Sequence, residues 1–409
     1  IIFFNCIQLV LAQTVQKPKY INSIKSIIFK SQDFEIQFPI VEIGSPFELH
    51  FDDLNADERN YYYRIKYFNH DWTPSTLFQN EYLKGFNNLR IENYLTSFNT
   101  LQPFTHYQLN LPNEQTAFLV SGNYLLEILN EANEMVFSRR FIIYEDRASV
   151  NAGVFRTRDL KYYQTHQSIQ FSVIPKEGEY FRDPQNQLHV TILQNEQWNN
   201  SLKNLKPQYN IGGRLEYRYD SESSFYGGNE YLFFDTKNIQ ITSANVSMVK
   251  LNRLYESYLT TNYLRRGYPY SFTQDLNGDF IIRTLQGSEN GNIEADYSWV
   301  HFSLSTPIVF IDQEVYIYGK FNNYELNETN KMYYNAALEI YEGVMLLKQG
   351  VYNYKFIVKT PKSNLYNEIS GSHALTENRY LIFVYYRYFG NLYDSLIAVG
   401  KTSSFEIFD

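Results

Sequence analysis

The segment Tyr61-Tyr62-Tyr63-Arg64-Ile65-Lys66-Tyr67 alternates with a period of two. Tyr61, Tyr63, Ile65 and Tyr67 fall on one face, and Tyr62, Arg64 and Lys66 on the other. A strand with one face in a core and one toward water has this pattern, and a helix of period 3.6 would scramble it. Trp72 follows within a few residues, and the turn Gly122-Asn123 leads into Tyr124, Leu126 and Ile128 on a single face. Alternating strands, a Trp and a Gly-Asn turn predict a small β-sandwich.

The rest of the chain favours the same class. Aromatic residues make up 18% of the 409 positions, mostly Tyr and Phe, and such rings pack well on a pleated surface. Length predicts two to four domains, each with its own core. The net charge of −8 and the lack of any basic run beyond Arg139-Arg140 and Arg265-Arg266 argue against a nucleic-acid partner.

Residues 1–12 are apolar, contain Cys6 and end in Ala12. They are too short to span a bilayer, which takes about 20 residues. They predict a signal-peptide core with cleavage after Ala12, the alternative being an N-terminal strand. The exported chain would then carry no cysteine and no disulfide, which fits a bacterial periplasm.

Three β-sandwiches in series are expected, at about 17–146, 148–297 and 298–409. In the first, Ile24, Ile27 and Phe29, then Phe47, Leu49 and Phe51, precede the Tyr61–Tyr67 strand, and Phe141–Tyr144 closes the set. In the second, Ile169, Phe171 and Val173 alternate, Trp198–Leu205 forms a short helix or turn, and Asn277-Gly278 marks a type I′ hairpin. In the third, Val315–Tyr324 and Gly350–Val358 resemble the early-set immunoglobulin-like modules that include starch- and glycogen-binding domains. That likeness implies a sugar contact through Asn323, Tyr324, Asn353 and Lys355, or the same sandwich serving only as scaffold.

Signatures of catalysis are missing. The histidines His50, His70, His106, His166, His189, His301 and His373 include no pair at the i, i+4 spacing of a helical metal site. There is no Gly-x-Ser-x-Gly elbow and no phosphate-cradling glycine loop. Asp275-Leu276-Asn277-Gly278-Asp279 lacks the spacing of an EF-hand. No metal, cofactor or small-molecule substrate is expected. The polar-aromatic stretch His70–Tyr107 remains, with Trp72 either core or part of a protein-binding surface carried by the long Pro74–Leu101 excursion.

Several motifs in this order resemble the type IX secretion system plug proteins. They are Asp71-Trp72-Thr73-Pro74-Ser75, Asn80-Glu81-Tyr82-Leu83-Lys84-Gly85-Phe86, Tyr94 with Ser97-Phe98-Asn99-Thr100, and Phe104-Thr105-His106-Tyr107. Ser121-Gly122-Asn123-Tyr124-Leu125-Leu126, Asp183-Pro184-Gln185-Asn186, Gly227-Gly228-Asn229-Glu230 and Glu294-Ala295-Asp296-Tyr297 continue the match. The resemblance implies a periplasmic, non-enzymatic all-β protein of Bacteroidota. Such a protein docks on the very large outer-membrane β-barrel translocon and occludes it when no substrate is passing. The residues expected to meet the barrel are His70, Trp72, Tyr82, Phe86, Phe98, Asn99, Phe104, His106 and Tyr107.

Overall fold

The computed structural model describes residues 23–31, 37–287, 290–307 and 309–408, so the proposed leader at 1–12, with Cys6, lies outside it. Among the described residues the fold is all-β. Helix is confined to the four-residue turns Gln79–Tyr82, Pro184–Gln187 and Gly291–Glu294 and to short 3-10 turns, one of them at Trp198–Asn200. No helix among them is long and apolar enough to cross a membrane.

The first sandwich is built around the Tyr62–Phe68 strand. It pairs antiparallel with Gly122–Leu129, setting Tyr67 opposite Tyr124, Ile65 opposite Leu126 and Tyr63 opposite Ile128. All six are buried, as the alternation predicts. Arg64 and Lys66 on the other face both bind Glu127, at 2.7 Å each. This sheet runs Ile40–Glu42, Met135–Tyr144, Gly122–Leu129, Tyr62–Phe68, Leu89–Arg90. Its partner sheet runs Ile24–Ser31, Phe47–Asp53, Thr105–Leu111, Asn93–Thr96. One aromatic-rich core fills the space between them, and each fully buried large side chain contributes about 1.5–3 kcal/mol. Gly122 sits at φ +141, with its open side against the Tyr67 ring, so any Cβ there would strike the phenol.

The sheets do not follow three consecutive segments. One sheet of the second sandwich contains Ala148–Arg156, His166–Pro175, Arg214–Tyr217, Tyr209–Ile211 and Ser224–Tyr226. The other runs Leu202–Lys203, Leu188–Gln194, Arg379–Tyr386, Ser395–Ser403. The last two strands of the chain therefore complete the second sandwich, with Leu188–Gln194 matched to Tyr380–Tyr386 along its whole length. The third sandwich is inserted between them, and the boundary expected at 297/298 falls inside it. Tyr297–Ser305 is one of its strands, paired with Ile340–Lys348 and Tyr255–Leu259. The cause is double-sided burial. Tyr380, Ile382 and Val384 enter the core of the second sandwich, while Leu381, Phe383 and Tyr385 enter an apolar layer shared with the first. Only a central strand between two cores hides both faces.

The third sandwich is one large curled sheet. Gly350–Lys359 pairs with Glu314–Tyr318, as the early-set likeness predicts, placing Val315 opposite Val358 and Tyr318 opposite Lys355. Phe302 meets Tyr354 edge-on at 5.1 Å and Phe234 at 5.7 Å, closing the core across the curl. At Asn277-Gly278 the turn forms but the hairpin does not. Both residues have positive φ, and Asp279 N–H donates to Leu276 O at 3.1 Å. Phe280–Ile282 then pairs with Gly350–Lys359 rather than folding back on Leu276, whose N–H is taken by Asn353 Oδ1.

Candidate partner surface and the joints between sandwiches

Of the nine residues expected to meet a partner, five are buried: Trp72, Tyr82, Phe104, His106 and Tyr107. They offer no surface, because each is used inside the molecule. Tyr107 stacks on Phe51 at 5.0 Å and donates to Arg59 O at 2.9 Å. Tyr82 stacks on Tyr67 at 5.6 Å. The other three build joints between sandwiches.

Trp72 and half-buried His70 join the first sandwich to the second. Trp72 stands edge-on to Trp198 at 5.0 Å, and Arg140 lies over its ring at 4.3 Å. Around them Phe38, Ile40, Phe68, Leu125 and Ile142 pack against Leu193, Leu381, Phe383, Tyr385 and Leu396. At the edge of this layer, His70 Nδ1 is 2.9 Å from Asp394 Oδ2, and Arg387 Nε donates to Asp394 Oδ1 at 2.8 Å. These contacts hold the Asp394 carboxyl well below the ordinary range against the cost of burial. His70, His189 and Asp394 are close enough to invite a metal. The two imidazoles, however, stack at 3.8 Å with planes only 11° apart. Ring lone pairs lie in the ring plane, so stacked rings aim them side by side instead of converging them on one ion. The cluster reads as a structural contact. Burial, and then the neighbouring His70, push His189 down to about 4.

Phe104 and His106 join the first sandwich to the third through buried charge. His106 Nδ1 is 2.6 Å from Asp52 Oδ1, and its Nε2 is 3.1 Å from His50 Nδ1. Asp52 Oδ2 accepts from Lys348 Nζ and from the Tyr297 hydroxyl, both at 2.6 Å. The Lys348 ammonium also sits 4.0 Å from the centre of the Phe104 ring. Burial would raise the Asp52 carboxyl, but Lys348 and His106 hold it below its ordinary value. Beside this pair, Asp296 accepts from Leu101 N–H at 2.6 Å and Gln102 N–H at 3.1 Å, and Phe98 N–H donates to Ile293 O at 2.9 Å. Sequence reasoning missed Asp52 and Lys348, although a signal was present. Asp52 follows Glu48 and His50 on the polar face of the strand whose other face carries Phe47, Leu49 and Phe51, and Lys348 ends the apolar run through Leu346 and Leu347.

Three of the nine are exposed: Phe86, Phe98 and Asn99, the phenylalanines at 70% and 65%. Phe86 ends a small two-stranded ribbon, Leu83–Gly85 with Thr116–Phe118, where its N–H donates to Gln115 O. Exposed Phe78 and Leu119 flank the opposite end of this ribbon, where Leu119 N–H binds Tyr82 O. The hairpin of the second sandwich that carries exposed Phe389 and Leu392 reaches the same region. Tyr393 meets Tyr67 edge-on, and the Tyr67 hydroxyl contacts both Ser121 O and Asp394 O. Apolar side chains thus project around the Tyr67–Tyr82 stack. Isolated exposed apolar residues are ordinary, but several near one end of a body mark a candidate interaction surface.

The four residues proposed for sugar contact do not share a surface. Asn323 is exposed, and Tyr324 packs on Tyr318 at 5.0 Å with its hydroxyl buried. Asn353 is buried and bonded to the Asn-Gly turn through Leu276 and Asp279. Lys355 faces a separate cavity.

The model of the type IX secretion system plug protein first domain matches residues 24–145, the whole first sandwich. A crystal structure of a hypothetical protein from Parabacteroides merdae superposes with a TM-score of 0.89 at 31% identity, covering 94% of this chain and 98% of that one. A biofilm-associated protein BSP domain aligns at a TM-score of 0.20 and 6% identity, over 95% of this chain and 60% of that one, and carries no argument. No curated protein matches the chain. With the motif order, the matched first sandwich and a relative similar along nearly its full length, the chain belongs to the type IX secretion system plug protein family.

Proposed function

We propose that this protein is a non-enzymatic periplasmic plug that docks on the outer-membrane translocon barrel of the type IX system and occludes it when no substrate is passing. Family membership assigns the chain a role in type IX secretion. The observation that carries the finer reading is the family match of the first sandwich, residues 24–145, which also presents Phe78, Phe86 and Leu119 to solvent. A plug must keep its shape when it docks, since ordering mobile parts subtracts from affinity. Joints made of buried aromatics and a buried ion pair meet that need. The contact surface proposed consists of Phe86 with Phe78 and Leu119, in place of the buried members of the expected set, while Phe98 and Asn99 lie apart from it beside the joint with the third sandwich.

The test is a native pull-down of the full chain, tagged at its C-terminus, from detergent-solubilised outer membranes. Near-stoichiometric recovery of one very large β-barrel is expected, together with an outer membrane leaky to medium-sized solutes in a deletion strain. A chain that elutes without a barrel, from a strain whose deletion leaves the membrane tight, would overturn the reading.

A further inference from the structure

Between the second and third sandwiches lies a cavity of about 210 Å³. It opens where the ends of the Leu188–Gln194 and Ser224–Tyr226 strands face the pair Glu314–Tyr318 and Gly350–Lys359. Tyr226, Tyr231, Tyr318 and Tyr366 supply much of its wall. Most of the polar wall groups are satisfied within the protein. Asn195 Nδ2 donates to Asn378 Oδ1 at 2.8 Å, Gln197 Nε2 to the Tyr231 hydroxyl at 2.9 Å, and the Tyr318 hydroxyl to Gln197 Oε1 at 2.8 Å.

Three wall groups are not. The Ser224 hydroxyl and the Asn200 side-chain carbonyl are buried and have no hydrogen-bond partner in the protein. Lys355 forms no ion pair and no side-chain hydrogen bond among the described residues. Its ammonium rests 3.9 Å from the centre of the Tyr231 ring. Buried polar groups without partners are costly, so two of them beside a half-buried ammonium with no salt bridge favour an occupant of the cavity. Gly228 keeps one spot open. At φ +67 it has no side chain where a Cβ would lie 3.4 Å from Lys355 Nζ and 3.5 Å from Asn367 Oδ1.

We infer that this cavity is a binding site for a small hydroxylated monocarboxylate of single-sugar size, a hexuronate, with Lys355 holding the carboxylate and Ser224 and Asn200 binding hydroxyls. A cavity of about 150 Å³ already accepts a benzene-sized ring, so this one accommodates a substituted six-membered ring. Tyrosine rings present faces to the C–H side of a sugar, and the few polar groups fix its orientation. One ammonium matches one negative charge. Asp275, Arg265 and Glu230 also act on this ammonium, two acids against one further base, so a phosphate dianion would add more negative charge than the site compensates. Burial pushes the Lys355 ammonium down to about 8, so it is charged at neutral pH and neutral in mild alkali.

The site is independent of barrel docking, so failure of one reading leaves the other standing. Calorimetric titration of the full chain with D-glucuronate, D-galacturonate and D-glucose at pH 6.5 tests it. At least one uronate is expected to bind at least tenfold more tightly than glucose, and to lose that advantage at pH 9.5. Lys355→Met should weaken uronate binding at least tenfold with only a small fall in melting temperature, because the lysine forms no salt bridge and loses only its longer-range attraction to Asp275 and its contact with the Tyr231 ring. Ser224→Ala should weaken it a few-fold. Equal binding of glucose and both uronates, unchanged binding by Lys355→Met, or no binding of either uronate at about 10 mM, a very weak limit, would each overturn the inference.

Discussion

The two joints made by the first sandwich solve the same problem with opposite chemistry. Toward the second sandwich it offers an apolar layer, Leu125, Ile142 and Phe68 against Leu193, Phe383 and Leu396, with Trp72 and Trp198 packed into it. Toward the third it offers Asp52, buried and bonded to Lys348, Tyr297 and His106. The apolar joint gains from many small contacts, so damage there should scale with the atoms removed. The charged joint depends on mutual compensation, and losing one member strands the other. The first kind tolerates sequence drift. The second fixes one geometry between two sandwiches.

The largest effect should come from breaking that compensation. Lys348→Met, which leaves the buried Asp52 carboxylate without its ammonium and with only His106 and Tyr297 beside it, should cost about 3–5 kcal/mol, while Asp52→Asn with Lys348→Met should cost clearly less. Urea unfolding of the single and double variants reads this, and a double variant as damaged as the single would break the comparison.

At the apolar joint, Leu125→Ala should cost about 2–4 kcal/mol, with no partner substitution that restores it by removing a charge. If this change left the denaturation midpoint untouched, the layer would not be what holds the first two sandwiches together.

A smaller effect follows from pH, and it touches both joints. His50 beside the charged joint and His189 beside the apolar one are both held down to about 4. For His50 the causes are burial first, then His106, opposed by Glu48. For His189 they are burial, His70 and Lys206, opposed by Asp394. Both stay neutral in the folded protein where the unfolded chain takes up protons. Stability should therefore fall as pH drops from about 6.5 toward 4 and hold level above that window. Melting curves across this range check the sign, and His189→Asn should flatten part of the slope.

The smallest effect on stability belongs to the exposed ribbon. Phe86→Ser should stay within about 0.5 kcal/mol of the parent yet reduce barrel recovery in the pull-down. A variant that recovers the barrel fully would move the docking surface elsewhere.

Some of this was legible in the residues alone. Period-two alternation at Tyr61–Tyr67 and in Tyr124, Leu126 and Ile128 predicted faces that the structure buries as expected. Asn277-Gly278 predicted a turn with two positive φ values, and the turn is there. These are local properties, set by side-chain direction and backbone sterics within a few residues. Partner choice is not local. Nothing within Arg379–Tyr386 says that it pairs with Leu188–Gln194, far back in the chain, and its double-sided burial leaves no polar rhythm to read. Exposure is not local either. Tyr82 and Phe86 are four residues apart in one aromatic stretch, yet one lies under Tyr67 and the other faces water. The sequence by itself determined strands, faces and turns. Only the packing of three sandwiches decided which aromatics became joints, which became surface, and where Lys355 was left facing a cavity without an ion-pair partner, because burial depends on what the rest of the chain brings alongside.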